Sequence, residues 1–466
     1  MSDAVEPEAP PPEAPVEQAA AARGKERTRR ALLTTLSAVA GRALTMILSL
    51  VSLPLTVAYL DAERYGLWIT IGSFLAWLSI ADLGLGNGLT NAVTAARAAG
   101  DHDHARRVVS TATLMLAGIS LALLALIAAV FPFVPWERVF AVSSRIDGVE
   151  LRVTVALCVI IFAASFPLGI VDRVLGACQE GYLSNYWATA TAVLSTVALV
   201  LAVRFGSGLP TLVMALSLVP LVMRLATTGW VFVKRHPELR PARSHYDRAV
   251  GKALLTTGGS FLVVQLAALG MWQNDNIIIS QLHGAAAVGP YSIAFRLATV
   301  YVGLVSMYLA PLWPAYADAG ARGDYAWIRA QVRRTTRLVT AATIVAAVGM
   351  VAVGQWFILV WTRRPDMVPS RRLLVPIAFY MVLVVFCLAQ AMALNGLGRI
   401  RGQMIYGIAA ALLNVVLSIV LGRALGVAGV CWATGIAALI TTVLAPIELH
   451  GALRDLEARK AAGAAA

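Results

Sequence analysis

The sequence predicts an all-α membrane protein with about twelve transmembrane helices in two lobes of six, and three observations support this. Of the 466 residues, 59% are hydrophobic and 14% charged, whereas a soluble domain carries about 25% charged residues. Apolar runs of about 20 residues, long enough to cross a bilayer core of about 30 Å, recur along the whole chain. Residues in the first half also recur at a constant distance in the second half, which indicates an internal duplication.

The duplication is clearest between Gly66 and Arg106. Its matched pairs, each 223 positions apart, are Gly66 and Gly289, Gly100 and Gly323, Asp101 and Asp324, and Arg106 and Arg329. A second echo relates 176–181 to 393–398, where Gly181 and Gly398 are 217 positions apart. Two copies of one unit are typical of duplicated transporter folds.

The apolar runs divide the chain into five parts. The predicted spans are 33–60, 66–96, 108–132, 151–177, 183–204, 209–233, 253–282, 287–316, 335–361, 373–395, 403–422 and 427–449. They define a disordered cytoplasmic tail with a basic end (1–30), an N-terminal lobe (31–233), a basic cytoplasmic linker (234–252), a C-terminal lobe (253–450) and a second cytoplasmic tail (451–466). Disorder is expected at the start because Pro, Ala and Glu cannot bury enough apolar area.

Orientation follows from the basic residues. Of the 38 lysines and arginines, 25 lie on the side of the N-terminus, ten on the opposite side and three inside spans. Basic loops remain in the cytoplasm, so both termini are predicted to be cytoplasmic. With six spans each, both copies enter from the same side. They are therefore parallel repeats related by a pseudo-twofold axis along the membrane normal, with a cavity between the lobes.

Several motifs exclude other functions. The segment 82–88, Asp-Leu-Gly-Leu-Gly-Asn-Gly, follows no strand and lacks the Lys-Ser/Thr ending of a phosphate loop, so small residues packing an apolar helix are the better interpretation. The sequence contains no Walker-type motif, so ATP binding is not predicted. The four cysteines have no CxxC spacing, so neither zinc nor disulfides are indicated. The basic composition is read as a topology signal and not as nucleic-acid binding.

Ionisable residues inside spans are costly, which makes them functional candidates. They are Arg42, Asp82, Arg224, Asp275 and Arg296. From the helical rise, Asp275 and Arg296 lie at one depth on adjacent helices and are predicted to contact each other. Arg42 and Asp82 share a deeper level. Arg224 has no acid at its level, and structural ion pairs remain the rival interpretation for the others.

Polar residues near Asp275 favour a cavity in the seventh span. They are Gln265, Gln273 and Asn274. Gln265 also occupies the repeat position of Arg42, so the two lobes cannot contribute equal charge.

Four segments together resemble a known family. They are 60–68 (Leu-Asp-Ala-Glu-Arg-Tyr-Gly-Leu-Trp), 82–86 (Asp-Leu-Gly-Leu-Gly), 288–294 (Val-Gly-Pro-Tyr-Ser-Ile-Ala) and 395–398 (Asn-Gly-Leu-Gly). Their order and spacing over residues 33–449 resemble polysaccharide-biosynthesis flippases, the Wzx-type O-antigen group in particular, of the multidrug/oligosaccharidyl-lipid/polysaccharide (MOP) exporter superfamily.

The resemblance implies a flippase that moves an undecaprenyl-diphosphate-linked oligosaccharide from the cytoplasmic to the periplasmic leaflet of a bacterial inner membrane. Such a protein works within the lipid bilayer, needs no cofactor, can be coupled to an ion gradient, and can act beside a polysaccharide polymerase and chain-length proteins. Binding of nucleic acid is not expected.

The diphosphate group directs attention to arginine, whose planar fork suits phosphate oxygens. Arg42 and Arg224 are predicted to form an inward-facing receiving site, and Arg296 to hold the diphosphate later in the cycle. The remaining candidate substrate-binding residues are Asp82, Gln265, Asn274 and Asp275. No residue is assigned to catalysis or to a metal.

Two alternatives remain open. A cation-coupled multidrug antiporter of the same superfamily would line its pocket with acids and use few arginines. A membrane-embedded sugar polymerase or ligase would need large outer loops, whereas the loops here are short.

Overall fold

The computed structural model describes residues 14–143, 146–205, 208–272 and 274–465, and every regular element in these ranges is helical. The helices of the N-terminal lobe are α1 (Ala14–Tyr59), α2 (Ala62–Leu78), α3 (Leu85–Ala98), α4 (His102–Val130), α5 (Trp136–Val139), α6 (Gly148–Leu168), α7 (Ile170–Ala177), α8 (Gly181–Phe205) and α9 (Gly208–Trp230). Those of the C-terminal lobe are α10 (Arg248–Trp272), α11 (Asn274–His283), α12 (Ala285–Leu309), α13 (Leu312–Ala321), α14 (Tyr325–Thr362), α15 (Arg371–Gly396), α16 (Arg401–Leu425) and α17 (Val427–Ala465).

Eleven helical segments of the described residues are long and apolar enough to cross a membrane. They match eleven of the twelve predicted spans. The seventh, 253–282, corresponds to α10 and α11, which flank Gln273, a residue outside the described ranges. The all-α membrane fold is therefore confirmed. Helix α1 already begins at Ala14, within the segment that composition predicts to be disordered.

The second predicted span is broken, although the sequence placed 82–88 inside a continuous helix. After a short 3₁₀ turn (Ser79–Asp82), Leu83 and Gly84 have φ values of 52° and 70°, and α3 starts at Leu85. Leu83 was not expected in the left-handed region because side chains rarely adopt it. Glycine is required next, since a Cβ on Gly84 would collide with the carbonyl of Gly258 on α10. The break thus lets α3 approach the other lobe.

The duplication is visible in matching turns. Gly100 and Gly323 have φ values of 74° and 71°. In each copy the backbone N–H of the following aspartate donates to a carbonyl oxygen over 2.9 Å, from Asp101 to Ala96 and from Asp324 to Ala319. Both aspartate side chains then cap the next helix, over 2.8 Å to the N–H of His104 and 3.1 Å to that of Trp327. The offset of 223 is therefore confirmed at this turn.

The second echo is real but its register is different. Gln179 (φ 58°) occupies the position of Gly398 (φ 71°). The next N–H groups, of Glu180 and Arg399, donate over 2.8 Å to Leu175 and Leu394 respectively. The offset of 217 inferred from two glycines is thus wrong, and the structural offset is 219, because the left-handed position in the first copy carries a glutamine.

The two copies also meet each other reciprocally. Along the contact between α2 and α12, Gly66 faces the carbonyl of Ala285. Gly289 faces the carbonyl of Ala62, whose oxygen is 3.5 Å from where a Cβ on Gly289 would lie. Ala62 and Ala285 are themselves 223 positions apart. Such exchange of equivalent contacts is what a twofold axis produces, in agreement with the predicted pseudo-twofold relation of the lobes.

The lobes are joined differently at their two ends, which we call outer and inner after the predicted orientation. At the outer end, Ser280 Oγ donates to the carbonyl of Phe140 over 2.9 Å, and Trp361 Nε1 to that of Leu50 over 3.0 Å. At the inner end, the linker packs on α4, where buried Ser110 and Thr111 accept hydrogen bonds from the N–H groups of Ala242 and Asp247.

Candidate functional site

A cavity of about 730 Å³ lies inside the N-terminal lobe. It is enclosed mainly by the α2–α3 break, α6, α7 and α9. Its polar and charged lining residues are Ser79, Asp82, Ser165, Asp172, Arg173, Ser217, Arg224 and Gln265. The structure therefore brings together three predicted site residues from three distant helices: Asp82, Arg224 and Gln265.

Arg224 lies on α9, four residues after Pro220, and its side chain is exposed. Its Nη1 donates to the carbonyl oxygen of Ser165 over 3.5 Å, a long hydrogen bond. That oxygen already accepts a shorter bond, 3.0 Å, from the N–H of Gly169. No ion pair within the described ranges includes Arg224, as its depth predicted. Its guanidinium thus faces the cavity with little competition from protein acceptors.

Arg173 is a second cavity arginine, near the end of the fourth predicted span, and it was not among the predicted site residues. Pro167 and Gly169 interrupt that span, so α7 follows α6 as a separate helix and carries Asp172 and Arg173 to the cavity. Gly86 makes room, since a Cβ there would lie 2.9 Å from Arg173 Nε. The proline and the glycines of 82–88 were the available signals.

Asp82 and Gln265 shape the cavity wall. Asp82 Oδ1 accepts a hydrogen bond of 2.9 Å from the N–H of Gly84 and so holds the helix break. Gln265, on α10, donates from Nε2 to the carbonyl of Ser79 over 3.4 Å and links the two lobes at the same place.

Arg42 and Arg296 lie away from this cavity. Arg42 is exposed in a crevice of about 450 Å³ between α1, α8 and α12, near Asn185 and Thr189. It forms no ion pair with Asp82 in the described structure, and it lines a different cavity from Arg224. Arg296 is exposed on α12, the helix that packs against α2.

Asp275 is buried in the C-terminal lobe, with 5% of its surface exposed. Its Oδ2 accepts hydrogen bonds from Tyr291 Oη (3.0 Å) and Thr434 Oγ1 (2.8 Å), and its Oδ1 has no hydrogen-bond partner among the described residues. The predicted Asp275–Arg296 pair is therefore wrong. Arg296 is five residues beyond Tyr291, which is about 140° around α12. Its side chain therefore points in a different direction from that of Tyr291, although Arg296 and Asp275 lie at the same depth. Asn274 precedes Asp275 at the start of α11, half-buried.

The inner end of α9, the helix that carries Arg224, is anchored by a buried acid. Glu180 is 2% exposed and binds Arg235, with 3.1 Å from Nε to Oε2, and His236, with 3.1 Å from Nε2 to the same oxygen. Hydrogen bonding to Cys178, then to Glu238 and Glu180, raises the pKa of His236 to about 9. His236 is thus a cation at neutral pH and holds the beginning of the linker on the lobe.

Residues 32–319 match the sequence profile of a family described as polysaccharide biosynthesis protein. The chain belongs to this family. A curated relative, "Putative O-antigen export protein" of Yersinia pseudotuberculosis, is 21% identical over 293 residues, which are 62% of this chain and 66% of the relative. The chain thus matches just under two thirds of that relative's length.

Solved structures of MOP transporters share the fold of this chain. One is an inward-facing multidrug resistance MATE family transporter of the MOP superfamily (TM-score 0.73, 15% identity, 89% of this chain and 95% of that one). Another is the lipid II flippase MurJ in an inward closed conformation (TM-score 0.70, 14% identity, 91% of this chain and 90% of that one). The predicted family resemblance is confirmed, and the protein is a multi-pass membrane protein of MOP fold.

Proposed function

We propose that this protein is a flippase that moves an undecaprenyl-diphosphate-linked oligosaccharide from the cytoplasmic to the periplasmic leaflet of the bacterial inner membrane by alternating access. Family membership and the relative named for O-antigen export support a lipid-linked polysaccharide precursor as the substrate. The observation that carries the proposal is the exposed Arg224 guanidinium in a cavity that also contains Arg173.

The chemistry follows from the substrate's charge. The diphosphate is the fixed negative group that the membrane interior rejects, and arginine can bind its oxygens through two parallel N–H groups. Arg224 and Arg173 approach the cavity from α9 and α7 and can bind two sides of one diphosphate. Asp172 and Ser217 add acceptor and hydroxyl groups suited to sugar hydroxyls.

The size of the cavity limits what it holds. A volume of about 730 Å³ is within the usual range for one small ligand. It accommodates the diphosphate and the adjoining sugar, and a longer glycan must extend beyond it while the polyprenyl tail stays in the bilayer. The crevice that contains Arg42 lies between both lobes, and we assign it to the passage of the charged head between membrane and cavity.

Arg224 provides the test. Arg224→Ala should lower flipping roughly 10- to 100-fold, since a hydrogen bond to a charged group is worth about 1.5–3 kcal/mol. Arg224→Lys should restore it in part, because the charge returns without the fork. The measurement is leaflet-resolved transport of a fluorescent undecaprenyl-diphosphate-linked oligosaccharide in proteoliposomes. Arg204→Ala, at the exposed outer end of α8, is the matched control. Unchanged transport by Arg224→Ala would remove the proposed site.

A cation-coupled multidrug antiporter is the second candidate, and Asp82 and Asp172 in the cavity favour it. In that case a cationic dye such as ethidium should be exported, and Asp172→Asn should abolish export while Arg224→Ala leaves it intact. Dye efflux from cells that express each variant distinguishes the two functions.

A further inference from the structure

A groove on the surface of the C-terminal lobe runs between α14 and α15 and shares no lining residue with the cavity of the N-terminal lobe. Its volume is about 610 Å³. Small side chains, Ala347 and Ala352 on α14 and Ala378 on α15, create the depression, and Phe379 lies beside them. Phe379 is fixed from behind by α17, where its ring lies 5.6 Å from that of Trp432 and 2.9 Å from the position of a Cβ on Gly435. The groove is thus formed by well-supported side chains.

The groove has a polar end and an apolar length. Arg371, in the first turn of α15, lines its outer end, and Val382 lines its lower part. Eleven residues separate them, about 16 Å along a helix. This is about half of a hydrocarbon core of roughly 30 Å. The groove therefore extends through one leaflet, with a cation at headgroup level.

The charge at the polar end is unusual for its location. Residues 363–372 contain four arginines and one acid, on the side predicted to hold fewer basic residues. Arg364 already binds that acid, Asp366, over 2.9 Å. Within the described ranges, Arg363, Arg371 and Arg372 are exposed and belong to no ion pair. Unlike Arg364, these three cations have no ion-pair partner among the described residues.

Arg371 and Arg372 are also unfavourable for their own helix. They occupy its first turn, where the helix macrodipole repels positive charge. Ser370 precedes them without a side-chain capping hydrogen bond. An external anion at this helix end would offset the repulsion, and the groove below fits a single saturated or mono-unsaturated chain.

We propose that this groove binds one anionic glycerophospholipid of the outer leaflet, with its phosphate at Arg371 and Arg372 and one acyl chain along α14 and α15. The length of one leaflet matches an acyl chain, whereas a polyprenyl tail is much longer. The net positive charge selects an anionic headgroup over a zwitterionic one. The bound lipid would stabilise the outer turn that also holds the N-terminal lobe, since Arg364 Nη1 donates to the carbonyl of Val57 over 3.3 Å.

Native mass spectrometry of the full-length protein in detergent tests the site. Phosphatidylglycerol and phosphatidylcholine with identical acyl chains are added at equal concentration. The wild type should retain phosphatidylglycerol roughly tenfold better, and Arg371→Gln/Arg372→Gln should abolish that preference. Arg423→Gln, an exposed arginine in the last turn of α16, is the matched control and should keep it. Ala352→Trp, at an exposed groove position, should reduce retention of both lipids by filling the groove.

Three outcomes would overturn the proposal. Wild-type protein that holds both lipids equally has no headgroup site. A double variant that keeps the preference places the site elsewhere. Displacement of phosphatidylglycerol by equimolar undecaprenyl phosphate makes the groove a site for the polyprenyl lipid. Size-exclusion elution at the wild-type volume shows that each variant is folded.

Discussion

The N-terminal lobe surrounds a cavity of about 730 Å³ with arginines exposed to it, whereas the described residues of the C-terminal lobe pack closely around the buried carboxylate of Asp275. Beside Asp275, the rings of Tyr291, Phe295 and Tyr380 stack with centroid distances of 5.5 Å and 5.9 Å. At the structural offset of 219, Tyr380 corresponds to Ile161, which lines the N-terminal cavity. Tyr380 thus fills a space in the C-terminal lobe that, in the N-terminal lobe, remains open as part of the cavity.

This difference separates what the fold requires from what the function requires. The turns at Gly100 and Gly323 have kept the same backbone geometry, because a helix connection depends on few local hydrogen bonds. The interiors have diverged, because side chains facing a cavity do not determine where the helices go. One lobe has arginines facing a cavity, and the other has a packed polar cluster around Asp275.

Filling the N-terminal cavity should give the largest difference in mutational effect between the two lobes. Ser217→Trp places an indole in the N-terminal cavity and should reduce flipping on the order of a hundredfold by displacing the substrate. Leu218→Trp is the neighbouring control, since Leu218 is 38% exposed on the outside of the bundle. Proteoliposome transport of both variants is the measurement, and normal flipping by Ser217→Trp would place the substrate path elsewhere.

Substitutions in the C-terminal core should lower the stability of the protein. Asp275→Ala leaves the hydroxyl of Tyr291 without its acceptor, restricts Thr434 to the carbonyl of Val430 and opens a void. The free energy of unfolding should therefore fall by about 2–4 kcal/mol. Asp275→Asn keeps an acceptor and should cost less. Thermal unfolding in detergent measures both, with Arg224→Ala as a control expected to be as stable as the wild type. Equal midpoints for Asp275→Ala and wild type would contradict a packed core.

The shared turns should behave alike in the two lobes. Gly100→Ala and Gly323→Ala each force a side chain into the left-handed region, at a cost of about 1–2 kcal/mol. Gly349→Ala, in α14 with nothing within 4 Å of its Cβ position, should be neutral or stabilising. Denaturation midpoints of the three variants test this, and clearly unequal costs at Gly100 and Gly323 would show that the turns are not equivalent.

The smallest expected effect concerns the anchor of α9. Because the pKa of His236 is raised from 6.5 to about 9, its contribution to stability is present below pH 6.5 and is lost as the pH rises through 9. The loss should be about 1 kcal/mol after solvent screening. His236→Gln should remove this part of the pH dependence of thermal unfolding. A variant with the wild-type pH profile would exclude His236 as its source.

The sequence predicted the features that depend on position along a helix. Hydropathy located the spans, the glycine spacing revealed the duplication, and Arg224 forms no ion pair among the described residues, as expected. These results follow because burial in a membrane leaves a one-dimensional pattern. Transport of a lipid-linked sugar stays a proposal.

The sequence-based predictions failed where the direction of a side chain around its helix determines its contacts. Asp275 and Arg296 have equal depth but point to different neighbours, and Arg173 enters the cavity only because Pro167 and Gly169 separate α7 from α6. The break at Leu83 was missed because leucine normally favours a helix, and here contact with α10 overrides that preference. Such choices are made by tertiary packing.

The reciprocal contact of Gly66 with Ala285 and of Gly289 with Ala62 has a consequence for the history of the chain. An interface that exchanges its own partners is that of a homodimer, here retained within one polypeptide. In a homodimer every substitution occurs twice, so a cavity arginine cannot be gained on one side alone. Within one polypeptide the two halves vary independently, so one lobe can carry cavity arginines while the other packs around Asp275.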